Sequence, residues 1–162
     1  MSAHRNNAVL AAYGHGTITG PPGQDKFVFN ARMREDGTVR GRVKFFASAF
    51  GKTLRGKVVC MARRQTFSPG PPNPDFVPRD FIAIGTDIPS PDPENTGPFF
   101  VLSVVDGGKG HQDDKMFPDF IPDFAYPDGP PSDAAASCEA FGLPDFLLDI
   151  GVINSGDIRV RP

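Results

Sequence analysis

The chain has few of the residues on which small proteins usually build chemistry. Its 162 residues include no Trp, two Tyr, two Cys and three His. No apolar run approaches the ~18 residues that a membrane-crossing helix needs, and the first residues lack the apolar stretch of a signal peptide. These absences predict a chain without a membrane span. The protein is expected to be cytoplasmic as written, or extracellular if a signal peptide has been removed.

Recognisable catalytic motifs are also missing. The sequence contains no nucleophile elbow, phosphate-binding loop, paired-cysteine zinc site or dinucleotide fingerprint. No organic cofactor is therefore expected. Cys60 and Cys138 are the only cysteines. An even count permits a disulfide, but two reduced and buried thiols fit the same spacing, so both alternatives stay open.

Gly and Pro are abundant, at 18 copies each, and Phe follows with 15. Gly and Pro divide a chain into short strands and loops, and Pro excludes long helices. The length fits a single domain over residues 1–162. Its charge is unevenly distributed. Residues 1–64 carry 12 Lys and Arg against 3 Asp and Glu, a net charge of +9, whereas residues 65–162 carry 5 against 16, a net charge of −11. The chain therefore divides into a basic meander over 12–64 and an acidic, proline-rich half over 65–162.

Alternation of apolar and polar residues predicts an all-β domain. About eight short strands at regular spacing are typical of an antiparallel β-barrel or β-sandwich, here with long Pro-rich loops and at most one short helix. The sequence does not separate the barrel from the sandwich. A short helix is expected over 132–141, and a loop over 106–132. The expected strands are 12–19, 26–34, 38–46, 52–61, 80–88, 98–105, 145–150 and 156–160.

The register of the second and third strands follows from their apolar faces. A two-residue turn at Asp36-Gly37 would pair Met33 with a charged residue. A three-residue loop with Gly37 in the left-handed conformation pairs Met33 with Val39 and keeps both faces consistent. The sequence therefore predicts a hairpin over 26–46, with Phe27, Phe29, Val43 and Phe45 buried together.

The tripeptide Pro-Asp-Phe occurs four times at irregular spacing, so it is not a solenoid repeat. Pro-Asp opens turns, and the following Phe can pin a loop to the domain or present an anchor to a partner. The copies are Pro74-Asp75-Phe76, Pro118-Asp119-Phe120, Pro122-Asp123-Phe124 and Pro144-Asp145-Phe146.

Several short pieces follow a common pattern of glycines and alternating apolar residues, and the similarity that they carry extends over about half of the chain. They are Gly14-His15-Gly16-Thr17, Phe27-x-Phe29-x-Ala31, Asp36-Gly37-Thr38-Val39-x-Gly41, Gly56-Lys57-Val58-Val59-Cys60, Val104-Val105-Asp106-Gly107-Gly108 with Asp113, and Gly156-Asp157-Ile158-x-Val160. Together they resemble a family of small, largely uncharacterised bacterial all-β domains that are often secreted or attached to surface proteins. The resemblance implies an antiparallel β fold and no known catalytic residues. The long Pro-rich insertions of this chain depart from that pattern.

Basic residues gather on one face of the predicted hairpin. They are Arg32, Arg34, Arg40, Arg42 and Lys44, and Arg55 and Lys57 continue the same face. A solvated outer surface is the ordinary reading of such a face. Like charges opposite each other cost stability, however, and an anionic partner would offset that cost. Nucleic acid is disfavoured because the aromatic residues point to the other face and offer no stacking platform. An acidic protein segment, or a second copy of this chain, is the expected partner.

The segment after the sixth expected strand collects carboxylates and a histidine. Asp106, Asp113 and Asp114 could supply oxygen ligands to calcium, although their spacing matches no established calcium loop. A polar surface turn is the plainer interpretation. His15 and His111, with Asp106, are the candidates for acid–base chemistry. If the protein is an enzyme, His15 should share a cavity with one of Asp106, His111, Asp113 or Asp114.

These patterns favour a non-catalytic β domain that binds or self-assembles through its charge-split surface. The alternative is a small β-barrel enzyme, of a cyclase or isomerase type, that holds a small hydrophobic molecule in a Phe-lined pocket. In either case the ligand-binding residues are drawn from Arg32, Arg34, Arg40, Arg42, Lys44, Phe27, Phe29 and Phe45. Whether the barrel interior is open or filled should distinguish the two.

Overall fold

The computed structural model describes residues 8–19, 23–89, 99–108, 113–120, 134–140, 142–150 and 153–161. Eight antiparallel strands form a nearly closed β-barrel, which confirms the all-β prediction and identifies the barrel as its architecture. The strands are β1 (Ala8–Thr19), β2 (Gln24–Arg34), β3 (Val39–Ala47), β4 (Lys52–Gln65), β5 (Asp80–Pro89), β6 (Phe99–Val105), β7 (Lys115–Phe120) and β8 (Ile153–Arg161).

Seven strands follow one another around the barrel in chain order, and β8 returns to pair with β1. The hairpin register is the predicted one, because Met33 pairs with Val39 and Phe29 with Val43. Gly37 has a φ of 85°, the left-handed conformation that the three-residue loop requires and that glycine adopts without a steric penalty. A slip of one residue would have moved Phe27, Phe29 and Phe45 to the outer surface.

Side chains fill the interior of the barrel. A barrel of eight strands has an interior just wide enough for side chains to fill. The phenylalanines of the hairpin enter it from one wall, and Phe100, Leu102 and Met116 enter from the opposite wall, where Leu102 and Met116 are fully buried. The ring centroids of Phe45 and Phe100 lie 5.1 Å apart, so the two walls meet at the centre. Side chains of the described strands therefore form a packed core inside the barrel.

Carboxylates bridge the seam where the barrel is not closed by a strand ladder. The edge of β8 that faces away from β1 lies beside the loop between β6 and β7. Asp114 Oδ2 accepts a hydrogen bond from the backbone N–H of Ile158 at 2.8 Å, and Asp106 Oδ2 accepts one from Val160 at 2.9 Å. The other oxygen of Asp114 accepts the N–H of Gly107 at 2.8 Å. Two aspartates thus take the place of strand carbonyls along this edge.

A helical segment covers part of the outer surface. It contains a 3₁₀ turn at Ala134–Ala136 and the helices α1 (Ser137–Ala140) and α2 (Asp145–Ile150). Leu143 and Leu148 are buried against outward-facing side chains of β4, β5 and β6. A disulfide joins Cys60 of β4 to Cys138 of α1, which decides the question that the sequence left open.

A register shift in β4 explains why Cys60 can reach the helical segment. The pairing of β4 with β5 shifts between Val58 and Cys60. Val58 and Met61 therefore both belong to the interior core, whereas Cys60 belongs to the outer cluster under the helices. The extra residue of a bulge reverses the alternation of inward and outward side chains.

Two predicted elements were wrong. Residues 106–132 were expected to form a loop, but β7 lies within them; it holds Pro118 at the edge of the sheet, where proline is tolerated. Residues 145–150 were expected to form a strand but form α2, so the described residues include two short α-helices where at most one was expected. In the described residues no helix has the length and the apolar character needed to cross a membrane.

Candidate functional site

Seven exposed cationic side chains share the outer surface of β2, β3 and β4, a surface termed the basic face. They point outwards because the residues that alternate with them, such as Phe27 and Val43, enter the core. The members of the basic face are Lys26, Arg32, Arg40, Arg42, Lys44, Arg55 and Lys57.

Like charges stand directly opposite each other across this face. Arg32 pairs with Arg40 in the β2–β3 ladder. In the β3–β4 ladder Arg42 pairs with Lys57, and Lys44 with Arg55. Directly opposed like charges destabilise a sheet, by an amount on the order of 0.2–1 kcal/mol for each pair. The face therefore carries an electrostatic cost that an acidic partner would remove.

Ion pairs form elsewhere in the described part of the chain. They involve Arg79, Lys115 and Arg159, and no member of the basic face. Asp87 borders the face, and its Oδ1 accepts a hydrogen bond from the backbone N–H of Lys57 at 2.8 Å rather than from a cationic side chain. The cations of the basic face thus have no ion-pair partner among the described residues.

Arg34, which the sequence grouped with these cations, lies two residues beyond Arg32 at the turn of the hairpin and is half-buried, whereas the members of the basic face are exposed. It is close to Asp36, whose pKa is lowered mainly by hydrogen bonds from the Thr38 hydroxyl and backbone N–H and to a lesser extent by the charge of Arg34. Arg34 therefore faces an acid within the same turn, and it is not counted in the basic face.

Two hollows with apolar floors lie within the basic face. The first, of about 420 Å³, has Val28 and Phe46 at its base and Lys26, Lys44 and Thr53 around it. The second, of about 540 Å³, also includes Val28 and is bordered by cationic residues of β3 and β4. Val28 is 48% exposed, a high value for a valine within a sheet. The face can thus contact both acidic and apolar groups.

The three predicted ligand-binding phenylalanines are core residues. Phe27, Phe29 and Phe45 are between 2% and 4% exposed, and their side chains belong to the packed interior. The ring centroids of Phe27 and Phe29 lie 6.1 Å apart. Their buried rings support the basic face from beneath, and Phe27 and Phe29 are also among the residues that line the two hollows of that face.

A larger hollow, of about 790 Å³, lies at one end of the barrel, where β4, β6 and β8 end and β5 begins. It is termed the end hollow. Apolar side chains of Ile82, Val104 and Val160 line it, and polar residues surround them. The polar set is Arg63, Arg64, Gln65, Asp80 and Asp106. Only Asp106 was among the residues singled out from the sequence, because the register shift in β4 hid the inward direction of Arg63.

The aspartates proposed as calcium ligands hold the seam of the barrel. Asp114 is fully buried, and its pKa is raised, chiefly by burial and also by the charge of Asp106 and by Asp157, against the opposing effect of its two backbone hydrogen bonds. Asp113 is exposed. In the described part of the chain no three His, Cys, Asp or Glu side chains gather as metal ligands would. A calcium site here stays a prediction that the structure does not test.

The histidine candidates are not brought together with these carboxylates. His15 is exposed on the outer surface of β1, since its neighbours Gly14 and Gly16 are the inward positions, and it lines none of the three hollows. His111 lies outside the described residues. The cavity shared by His15 and an acidic residue, which an acid–base enzyme would need, is absent from these hollows.

Comparisons with known proteins add no relative to this picture. The chain matches no family model, no curated protein and no solved structure. The resemblance to small bacterial β domains therefore stays a prediction, and function has to be argued from the surface itself.

Proposed function

We propose that this domain is a non-catalytic binding module whose basic face captures an acidic polypeptide segment that carries aromatic side chains. The observation that carries the proposal is the set of seven exposed cations that have no ion-pair partner among the described residues. Directly opposed like charges lower the stability of a sheet, and an acidic partner would offset that cost.

The chemistry of the face selects the class of partner. Exposed ion pairs contribute only about 0–1 kcal/mol each, so charge gives attraction and orientation but little affinity. Apolar anchors must supply the rest, as they do at the centres of protein interfaces. The hollow over Val28 and Phe46 offers such a place between cationic residues. An extended acidic peptide with one or two aromatic residues meets both requirements.

The chain itself contains a suitable sequence. Residues 118–128 hold two of the Pro-Asp-Phe tripeptides and a further Asp, so a synthetic peptide of this sequence is a suitable probe. Because Pro118–Phe120 pair with β6 as part of β7, a folded second copy would offer this segment only in part. A nucleic acid is less suited, since two of the three phenylalanines that line these hollows, Phe27 and Phe29, are buried in the core, which leaves Phe46 to stack with a base.

Titration with a synthetic peptide of sequence 118–128 tests the proposal. We expect calorimetry to detect binding that weakens as salt rises, because screening reduces the attraction between opposite charges. Replacing the three aspartates of the peptide by asparagine should weaken binding, and replacing both phenylalanines by alanine should weaken it further. Equal affinity for the peptide and its asparagine form would contradict the proposal.

Matched variants of the protein locate the site. Arg42→Glu with Lys44→Glu should abolish detectable binding, whereas Arg63→Glu with Arg161→Glu, which changes the net charge by the same amount away from the basic face, should leave it intact. An oligothymidine of equal charge serves as the comparison ligand. Tighter binding of that oligonucleotide than of the peptide would overturn the assignment to a polypeptide partner.

A further inference from the structure

The end hollow has the dimensions of a small-molecule site. Its volume of about 790 Å³ lies within the ~300–1,000 Å³ range of ligand pockets in proteins. It lies at the end of the barrel, not on the basic face, and shares no lining residue with the two hollows described there. Mouths of β-barrels are places where such sites recur.

The floor of the hollow is apolar and rigid. Ile82 and Val104 are buried core residues of β5 and β6, and Val160 of β8 packs against the same core. Asp106 fixes β8 at this position through its bond to the Val160 N–H. An apolar group placed here would meet side chains held by three strands, and no reorganisation of the packed interior is needed to admit it.

Most of the polar groups around the floor are already engaged. Asp106 accepts backbone hydrogen bonds on both oxygens, from Gly108 at 2.9 Å and from Val160 at 2.9 Å. The Gln65 side-chain amide donates to Asp80 Oδ1 at 3.0 Å. These bonds shape the wall of the hollow and leave little donor or acceptor capacity for a ligand on Asp106.

Arg63 is the exception. Its position opposite Ile82 in the β4–β5 ladder directs its side chain to the same side of the sheet as the floor residue. None of the ion pairs of the described residues involves it. A guanidinium group carries five N–H donors in a fixed planar arrangement that matches a carboxylate. Of the two arginines that line the hollow, Arg63 is thus the one on the side of the apolar floor.

We propose that the end hollow binds a small molecule with an apolar body and a single carboxylate. The apolar body would lie on Ile82, Val104 and Val160, and the carboxylate would pair with the guanidinium of Arg63. The carboxylates of Asp80 and Asp106 on the same wall would repel a ligand with several negative charges, so one anionic group is favoured over a polyphosphate. This site is independent of the basic face and of its acidic polypeptide.

Calorimetry with 2-naphthoate, and with 2-naphthalenemethanol as its neutral counterpart, tests the proposal. We expect wild-type protein to bind the carboxylate more tightly than the alcohol. Arg63→Gln should weaken binding of the carboxylate about tenfold, the effect of losing one charge-assisted hydrogen-bonded pair, and leave the alcohol unaffected. Val160→Trp should fill the hollow and weaken both ligands. Thermal unfolding of each variant shows whether the fold is retained.

Arg42→Glu with Lys44→Glu serves as the control, because it removes charge from the basic face and should leave naphthoate binding unchanged. Three results would overturn the proposal: no binding of 2-naphthoate to the wild-type protein at millimolar concentration, equal binding to wild type and Arg63→Gln, or loss of binding only in the variant of the basic face. Each leaves the peptide experiment unaffected, so the two proposals fail separately.

Discussion

Asp114 shows how one side chain can complete a barrel. It lies at the start of β7, is fully buried, and accepts backbone hydrogen bonds from Gly107 in the preceding loop and from Ile158 on β8. Each of those N–H groups would otherwise face the seam without a partner in the described structure. A buried donor that loses its acceptor costs about 1–3 kcal/mol. Closure of the barrel at this seam thus depends on a carboxylate as much as on strand pairing.

We predict that Asp114→Ala lowers the free energy of unfolding by roughly 2–4 kcal/mol, since the buried N–H of Ile158 and the partly buried N–H of Gly107 lose their acceptor. Its neighbour Asp113 is exposed, so Asp113→Ala should change stability by no more than about 0.5 kcal/mol. Urea unfolding measures both. Equal effects of the two substitutions would show that the seam bonds contribute nothing specific.

The difference in stability between wild type and Asp114→Ala should depend on pH in a defined direction. The pKa of Asp114 is raised in the folded protein, so the folded state retains its proton where the unfolded state has lost it. The stabilisation that Asp114 contributes through this shift is fully present below the pKa of about 3.9 in the unfolded chain. It is lost as pH rises through the higher pKa of the folded protein. The stability gap between wild type and Asp114→Ala should therefore be widest at acidic pH. A gap that widens with rising pH would contradict this sign.

At the scale of elements, the helical segment is attached to the barrel by a few strong contacts. The disulfide links Cys138 to β4, and Arg79 donates to the carboxylates of Asp145 at 2.8 Å and Asp149 at 2.9 Å. The Arg79 hydrogen bond lowers the pKa of Asp145, aided by a bond from Thr66. Leu143 and Leu148 add buried apolar area beneath the segment. Since the interior core is separate, the segment can loosen while the barrel persists.

Gly85 offers a test of this separation. It lies beneath the disulfide, where a β-carbon would come into severe contact with Cys60 Sγ and Ser137 Oγ. We predict that Gly85→Ala displaces residues 134–140 and speeds amide hydrogen exchange there, while the strands of the hairpin keep their protection. Gly23 has open space, with its nearest neighbour, Ser48 Cβ, 3.9 Å away, so Gly23→Ala is the control. Uniform loss of protection in Gly85→Ala would mean that the segment and the barrel unfold together.

The elements also show what the sequence can and cannot reveal. The β2–β3 hairpin was predicted in register, because both strands alternate strictly and a glycine marks the turn. Residues 145–150 were assigned to a strand, since six residues are too few to distinguish the two-residue period of a strand from the 3.6-residue period of a helix. Pro144 before it and Gly151 after it are typical helix boundaries and favoured the helix that forms. Finding eight strands therefore involved two compensating errors, at α2 and β7.

The same limit applies to the sites. Alternation in β2 and β3 placed Arg32, Arg40, Arg42 and Lys44 on one outer surface, whereas Lys26, which shares that surface, was not singled out from the sequence. The end hollow could not be found in this way, because the register shift after Val58 reverses the direction of every later side chain in β4. Uninterrupted alternation would place Arg64 inwards beside Cys60, whereas the barrel places Arg63 on the side of the floor residues. A bulge depends on the pairing of two strands, and neither strand alone encodes it.

At the scale of the whole molecule, the net charge of +9 on residues 1–64 and of −11 on residues 65–162 becomes a spatial division. The basic face lies on β2–β4. The described acids Asp145 and Asp149 pair with Arg79 under the helical segment, and Asp106 and Asp114 hold the seam. These four acids are engaged away from the basic face and do not neutralise its charge.

If the acidic partner of the basic face is a second copy of this chain, the contact joins two different surfaces. Such a heterologous contact closes into a ring or continues as a filament. We predict that light scattering at about 0.01 M salt gives a mass above that of one 17.4 kDa chain and that the mass falls towards it at about 1 M salt, as the Debye length shortens from ~30 Å to ~3 Å. Arg42→Glu with Lys44→Glu should remain a single chain at every salt concentration, and Arg63→Glu with Arg161→Glu should assemble like the wild type. A wild-type mass equal to one chain at all salt and protein concentrations would exclude self-assembly. The basic face would then be left for an acidic segment of another protein, which the peptide titration tests directly.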